Sequence, residues 1–485
     1  MPADARHPPP PAAAPASSVT FVPTARLLAC VAGVAAPALA GAFIPEAGMI
    51  WMLALGGLVI AALADLVNGL GAARTFLPLV QAPAVVRLSR EADGIIPFVI
   101  TARDTPGARP AAARRLRFAP GLPSDAFTDQ QTGPAQLALP AGGRPLRLDW
   151  ACRPSRRGHY TDGVLACCAT LSALGLWELR SRQTVPCELR VYPNLFAERR
   201  ALAALFLDKA GAGLKARRTV GRGREFEKLR DYLPGDGLDE IHWKATARRG
   251  RLITRQFQAE RTQEVYAVID LSRLSGREVA HANADELVTP DERDRRRVTV
   301  LERYLTSALV LMLAARSQGD RFGLIAYDDR VRVFIRAGGG AGHFAACREA
   351  MCALQPGEGA PDIAEVTRYL RTRLRTRALL VFLTDLGDPV LAEDFVKHAP
   401  PLARQHLLMV NQVRAPGVAR LFSGEPVATD DDVYARLAGH FRWAEAGALA
   451  RLLRPSGIRA SLLEEAELAA QMVTQYMQVK RRQAL

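Results

Sequence analysis

Two aspartates stand where chemistry is easiest to build in this chain. Asp270 ends the apolar run 265–269, and Asp385 follows the apolar run 378–384. Both runs read as buried strands, and in an open α/β sheet ligands bind outside the carboxyl ends of the strands. Two carboxylates meeting there could hold a hard cation such as Mg²⁺. A metal-dependent hydrolase using Asp270 and Asp385 is the enzymatic reading of that pair.

Other catalytic constellations fail on spacing. Gly221 and Gly223 are followed by Phe226 where a dinucleotide-binding loop needs its third glycine. The glycine-rich run 338–342 leads into His343 with no lysine after it, so it reads as a flexible entry to a helix and not as a phosphate cradle. The 8 histidines form no zinc-binding pair, and the 7 cysteines form no CxxC. An odd cysteine count without a disulfide framework indicates reduced, mostly buried thiols in a cytosolic compartment. No catalytic residue and no cofactor are expected from these patterns.

The elements that must position the aspartates form an alternating series over 262–463. Strands are expected at 265–269, 322–327, 331–335, 378–384, 406–413 and 458–463. Between them, helices are expected from a capping box at Thr289-Pro290-Asp291-Glu292 to about Ser317, and near 343–354, 363–375, 391–405 and 433–454. Such alternation gives an α/β, Rossmann-like domain with a mostly parallel sheet. One more amphipathic helix with a basic end is expected in 464–485. Upstream, residues 84–193 hold short alternating apolar runs separated by Gly, Pro and Asp, the pattern of a small all-β sandwich. A helix is expected over about 195–215.

The N-terminal part reads differently. Residues 1–24 are rich in Pro and Ala without periodicity and are expected to be disordered. Stretches 25–44 and 48–67 carry one charge each, Arg26 and Asp65, and each has the length of a membrane-crossing helix. Pro45-Glu46-Ala47 reads as the tight link of a transmembrane hairpin. A cleaved signal peptide competes for the first stretch, but the second follows at once. Arg6 and Arg26 precede or begin the pair and Arg74, Arg87 and Arg90 follow it, so both ends are expected in the cytoplasm. The inner membrane is the expected location, with the bulk of the chain cytoplasmic. The net charge of +15 calls for an anionic surface. Arginine runs such as 294–297 and 371–377 carry few interleaved aromatics and no nucleic-acid motif. An anionic lipid surface is therefore the expected partner, and a basic nucleic-acid-binding protein the alternative.

The densest run of turns, charges and aromatics is 221–261. Pro234-Gly235 reads as the centre of a type II turn, and residues 251–259 alternate like a half-buried strand. Glu225, Phe226, Arg230, Asp231, Tyr232, Pro234, Gly235, Asp236, Trp243, Lys244 and Arg248 are the candidate interaction residues here. Phe226, Tyr232 and Trp243 are expected as apolar anchors, with Trp243 buried; His242 is read as a packed or surface group. Glu225, Arg230, Asp231, Asp236 and Lys244 are expected to form ion pairs.

These residues carry a resemblance. Residues 221–227, Leu229-Arg230-Asp231-Tyr232, Pro234-Gly235-Asp236 and Ile241-His242-Trp243-Lys244 resemble the signature of the domain of unknown function 58 family. That resemblance implies a membrane-anchored protein with a von Willebrand factor A-like domain. It also implies a binding platform that works with a MoxR-type AAA+ ATPase and other membrane-associated proteins, while the absence of a catalytic constellation is what disfavours an enzyme. In von Willebrand A domains the first loop reads Asp-x-Ser-x-Ser and helps bind Mg²⁺. Here Asp270 and Ser272 match, while Leu274 stands at the second serine and Ser275 is displaced by one. A degenerate metal site of Asp270, Ser272 and Asp385 follows, and the threonine of the second loop has no evident counterpart.

Overall fold

The computed structural model describes residues 18–41, 45–75, 78–101, 114–123, 126–129, 133–139, 144–195, 200, 202–203, 220–233, 241–258, 262–279, 298–423 and 429–482. The chain divides into two compact units, Met1–Tyr192 and Pro193–Leu485.

The first unit opens with β1 (Ser18–Pro23), α1 (Ala25–Gly41) and α2 (Pro45–Thr75). Its remaining strands are β2 (Leu79–Gln81), β3 (Val85–Ser89), β4 (Gly94–Thr101), β5 (Arg114–Gly121), β6 (Phe127–Asp129), β7 (Ala135–Leu139), β8 (Leu146–Pro154), β9 (Gly158–Tyr160), β10 (Val164–Leu171), β11 (Trp177–Val185) and β12 (Glu188–Tyr192). One antiparallel sheet runs β1-β11-β10-β5-β7, a second runs β2-β4-β8-β6, and a small third runs β3-β12-β9. Burial alternates along β8 and β11, as a period of two requires. The first two sheets share one apolar cluster. In it the Phe98 and Phe118 rings lie 5.1 Å apart, and Trp150 meets Phe118 edge-on at 6.0 Å.

Two expectations for the N-terminal part are corrected. Residues 18–23 are not part of a disordered tail: β1 adds to the edge of β11, from Ser18 opposite Arg182 to Pro23 opposite Trp177. Pro23 ends this edge strand, where a missing N–H disrupts no inner ladder. Pro45 is not a linker residue either. It opens α2, where its fixed φ suits the first helical position. Among the described residues one helix, through Ile50–Leu70, is long and apolar enough to cross a membrane, whereas the apolar part of α1 is the shorter Ala25–Ala35. Asp65 interrupts the apolar surface of α2 and is buried. Its carboxylate accepts from Ser172 Oγ at 2.5 Å and from the N–H groups of Leu174 and Leu176 at 3.0 and 3.3 Å. The Trp177 indole donates to the Ala62 carbonyl at 2.9 Å, so this end of α2 is fastened to the β10–β11 turn.

In the second unit β13 (Val220–Asp231), α3 (Trp243–Arg249) and β14 (Ile253–Gln258) precede the main sheet. There follow β15 (Glu264–Asp270), the short pair β16 (Glu278–Val279) and β17 (Val298–Thr299), α4 (Val300–Ser317), β18 (Arg321–Tyr327), β19 (Val331–Gly338), α5 (Ala341–Ala353) and α6 (Ile363–Arg373). The chain continues through β20 (Leu379–Leu383), α7 (Pro389–Ala403), β21 (Leu407–Val413), α8 (Asp430–Leu453), β22 (Arg459–Leu463) and α9 (Leu468–Arg481). The expected capping box at 289–292 and nearly all of the expected helix at 195–215 lie outside the described residues. Thr299 caps α4 instead.

The sheet order is β19-β18-β15-β20-β21-β22. All neighbours are parallel except β18 and β19, which form an antiparallel hairpin. Apolar residues along β15 divide between two cores by strand period. Val265, Ala267 and Ile269 join a cluster with α4 and α9, while Tyr266 and Val268 join one with α6, α7 and α8. This is a two-faced, mostly parallel α/β sheet, as the alternating series predicts. From β15 the order proceeds to β18 on one side and to β20 on the other. The crevice at their carboxyl ends is the topological switch point, where such sheets bind ligands.

Candidate functional site

Asp270 and Asp385 both reach the switch point. Asp270 is the last residue of β15, and Asp385 lies two residues beyond β20. Asp270 is 1% exposed, and both its oxygens are taken. Oδ1 accepts from the Ser272 N–H at 2.8 Å, and Oδ2 accepts from the Thr384 hydroxyl at 2.7 Å. Burial pushes its carboxyl above the usual range; the Ser272 and Thr384 bonds oppose that rise, and the Asp385 charge adds to it.

Asp385 is engaged as well. The Arg277 guanidinium meets its Oδ2 at 2.9 Å, and the Gly387 N–H donates to Oδ1 at 2.9 Å. Ser275 donates to the Ser272 carbonyl at 2.8 Å and so turns away from Asp270. Leu274 lines the adjoining groove with Arg277 and Asp385. The loop facing Leu271 and Arg273 supplies backbone groups: Gly357 N–H donates to the Leu271 carbonyl at 2.6 Å, and Arg273 N–H to the Gly359 carbonyl at 3.0 Å. A threonine hydroxyl that donates to Asp270 comes from Thr384, just after β20, and not from that loop. Among the described residues no group of three or more His, Cys, Asp and Glu could hold a metal ion. An octahedral Mg²⁺ needs several free oxygens. This site leaves over the Ser272 hydroxyl, which is buried and without a partner among the described residues. Asp270, Ser272 and Asp385 meet as the sequence predicts, with Leu274 in place of a further hydroxyl.

Beside this pair a groove of about 670 Å³ opens between α7 and α8. Its walls are mostly aliphatic, among them Leu386, Val396, Val413, Leu449 and Leu452. Sequence reasoning missed this groove and Arg277. The signal for the groove was present in α8, where Val433, Leu437, Phe441 and Leu452 recur at helical spacing yet are exposed.

The signature residues form a second, separate array. Glu225, Phe226, Arg230 and Asp231 lie on β13, opposite Gln258, Phe257, Thr254 and Ile253 of β14. Pro234, Gly235 and Asp236 lie outside the described residues. Tyr232 continues the pairing, its N–H donating to the Leu252 carbonyl at 3.0 Å. Asp231 pairs with Arg251 at 3.0 Å with both side chains more than half exposed, an arrangement that contributes about 0–1 kcal/mol. The expected burial of Trp243 is overturned: it opens α3 and is 64% exposed, and Lys244 and Arg248 are exposed beside it. Helix α3 buries none of its residues, so the apolar anchors are Ile241 and Ile253 at its flanks. His242 is the N-cap of α3, its Nδ1 accepting from the Ala245 N–H at 3.1 Å.

Residues 228–432 match the family model described as "Protein of unknown function DUF58". No curated protein matches the chain. Among solved structures it is similar to the conserved hypothetical protein BatB from Bacteroides thetaiotaomicron, at 15% identity over 45% of this chain and 99% of that one, with a TM-score of 0.28. An aerotolerance-related membrane protein from Bacteroides fragilis is 17% identical over 44% of this chain and 98% of that one, with a TM-score of 0.26. The SpRpn10 VWA domain is 12% identical over 44% and 95%, with a TM-score of 0.25.

Proposed function

We propose that this chain is a membrane-anchored interaction platform and not an enzyme. Its von Willebrand A-like domain works in the cytoplasm with a MoxR-type AAA+ ATPase, in assembly or maturation of client proteins. The anchor is the two-helix hairpin of α1 and α2 in the inner membrane, and the antiparallel sheets form a β-sandwich that serves as spacer or docking module. One observation carries the reading. At the switch point the carboxylates are buried or ion-paired, yet an open apolar groove adjoins them. In this crevice Arg277, Thr384 and backbone N–H groups hold the acids in place. The groove retains surface to bind with.

Affinity capture of the full-length protein from its native membrane tests this. The expected result is co-purification of an AAA+ ATPase, reduced by substitution of exposed signature residues. Capture of no partner at all overturns the reading. For topology, a reporter fused at residue 46 should read outside the cytoplasm and one at residue 485 inside it.

A further inference from the structure

We propose that the groove between α7 and α8 takes an amphipathic helix of a partner protein, with its apolar stripe bordered by Lys and Arg. This rests on the platform reading and names the chemistry of the partner. Three observations lead to it.

The first is extent. Val433, Leu437, Phe441, Ala448 and Leu452 fall within about one quadrant of α8 at ~100° per residue. Phe441 is 58% and Leu452 66% exposed, while α8 buries Gly439, Leu453 and Leu449, the last of which also lines the groove. From Val433 to Leu452 the stripe runs roughly 28 Å at the ~1.5 Å rise of a helix. Ala448 and Leu452 also line the groove, so stripe and groove are continuous. A small ligand would fill the groove and leave the stripe bare; a helix laid along it covers both.

The second is charge. Asp388, Glu393 and Glu445 line the groove, and all three are exposed. Asp430 begins the stripe. On the basic side, Arg277 is held by Asp385, Arg442 is the other arginine of the lining, and exposed Arg451 shares the quadrant of the stripe, which leaves the acidic groups in excess. The chain as a whole carries +15, so this carboxylate border runs against its general charge. Such a border selects a cationic partner and repels an anionic bilayer.

The third is rigidity. The floor is built from the ends of β21 and β22, through Val413 and Leu462, and one wall is helix α7, which Asp388 caps. A receptor surface on fixed elements loses little order on binding.

The test uses the full-length chain in neutral-lipid nanodiscs. The probe is a fluorescent Leu/Lys amphipathic helix, with a Leu/Glu helix of the same apolar pattern and a scrambled Leu/Lys peptide as controls. Fluorescence anisotropy should show saturable binding of the Leu/Lys helix, at least about tenfold tighter than either control. Glu393→Lys with Glu445→Lys, or Leu452→Glu alone, should each weaken it by a similar factor without moving the unfolding midpoint. Equal or tighter binding of the Leu/Glu helix, or unchanged binding in these variants, overturns the proposal. So does binding of anionic vesicles through Leu452, or concentration-dependent dimerisation lost in Leu452→Glu, because then a bilayer or a second copy is the occupant. If the double variant still captures the ATPase from membranes, the groove assignment fails and the platform reading stands. If the wild-type protein captures nothing, the platform reading fails whatever the peptide does.

Discussion

Asp270 ends β15 and Asp328 follows the neighbouring β18, at the same end of the sheet, and both are buried. Their carboxyls move in opposite directions. At Asp270 burial dominates and raises the pKa, although Thr384 and the Ser272 N–H each donate to it. At Asp328 burial also acts to raise it, but Arg332 reverses the sign. The Arg332 Nε contacts both oxygens at 2.7 Å, and with Asp329 and the Arg330 N–H it holds the carboxyl at about 2. Neutral donors satisfy a carboxylate without cancelling the cost of its charge; a guanidinium does both. At the switch point the guanidinium went to Asp385, and Asp270 was left with neutral donors.

At the switch point the largest expected effect comes from removing the hydroxyl on which Asp270 depends. Thr384→Val keeps the shape and leaves Asp270 Oδ2 buried without a donor. A loss of about 1–3 kcal/mol is expected, measured as a lower urea midpoint at neutral pH. An unchanged midpoint would mean that Thr384 does not hold Asp270 and that the comparison is misdrawn.

The next pair separates the two aspartates by pH. Because the Asp270 carboxyl is raised on folding, its contribution is fully present below the ordinary carboxylate range and is lost as pH rises through the folded value. The melting temperature of Asp270→Asn should therefore gain on wild type between pH 4 and pH 8. Asp328 is lowered to about 2, so its contribution is present above the ordinary range and is lost as pH falls towards that value. Asp328→Asn should fall furthest behind wild type above pH 5 and converge with it in acid. Parallel pH profiles for the two variants would contradict the opposite shifts.

Much of this arrangement was readable beforehand, for a physical reason. Strands buried on both faces are written as continuous apolar runs, so 265–269 and 378–384 announced the sheet and placed Asp270 and Asp385 at its carboxyl edge. What joins side chains across the fold leaves no period. Arg277 reaches Asp385, and Thr384 reaches Asp270, over separations that no local pattern records. The same holds for β1, whose partner β11 begins far downstream at Trp177. In the signature, aromatic character suggested burial, but Trp243 opens a short helix that buries none of its residues and is itself exposed.

A smaller effect should follow from Arg277→Met. Arg277 is 42% exposed, so losing its pair with Asp385 should cost no more than about 1 kcal/mol. The variant also tests whether the guanidinium alone keeps a cation out. Asp270 remains occupied by Thr384 and Ser272, and Leu274 supplies no oxygen, so calorimetry with Mg²⁺ should show no binding in wild type or variant. Tight Mg²⁺ binding to wild type, lost in Asp270→Ala, would overturn the geometric argument against a metal.

The smallest effect on stability is expected where the comparison extends from carboxylates to tryptophans. Trp150 is 1% exposed and packs edge-on to Phe118 inside the core, whereas Trp243 is 64% exposed. Residue type is the same, and environment sets the consequence. Trp243→Ala should change the unfolding free energy by no more than about 0.5 kcal/mol, as for surface substitutions in general. Truncating Trp150 should cost on the order of 3–5 kcal/mol. A large aromatic side chain left in solvent beside Lys244 and Arg248 still has a role to account for. Aromatic and basic residues of this kind are enriched in protein interfaces. Trp243→Ala should accordingly reduce capture of the proposed ATPase partner while the melting curve stays in place. A variant that melts early and binds normally once folded would show that Trp243 packs against protein after all.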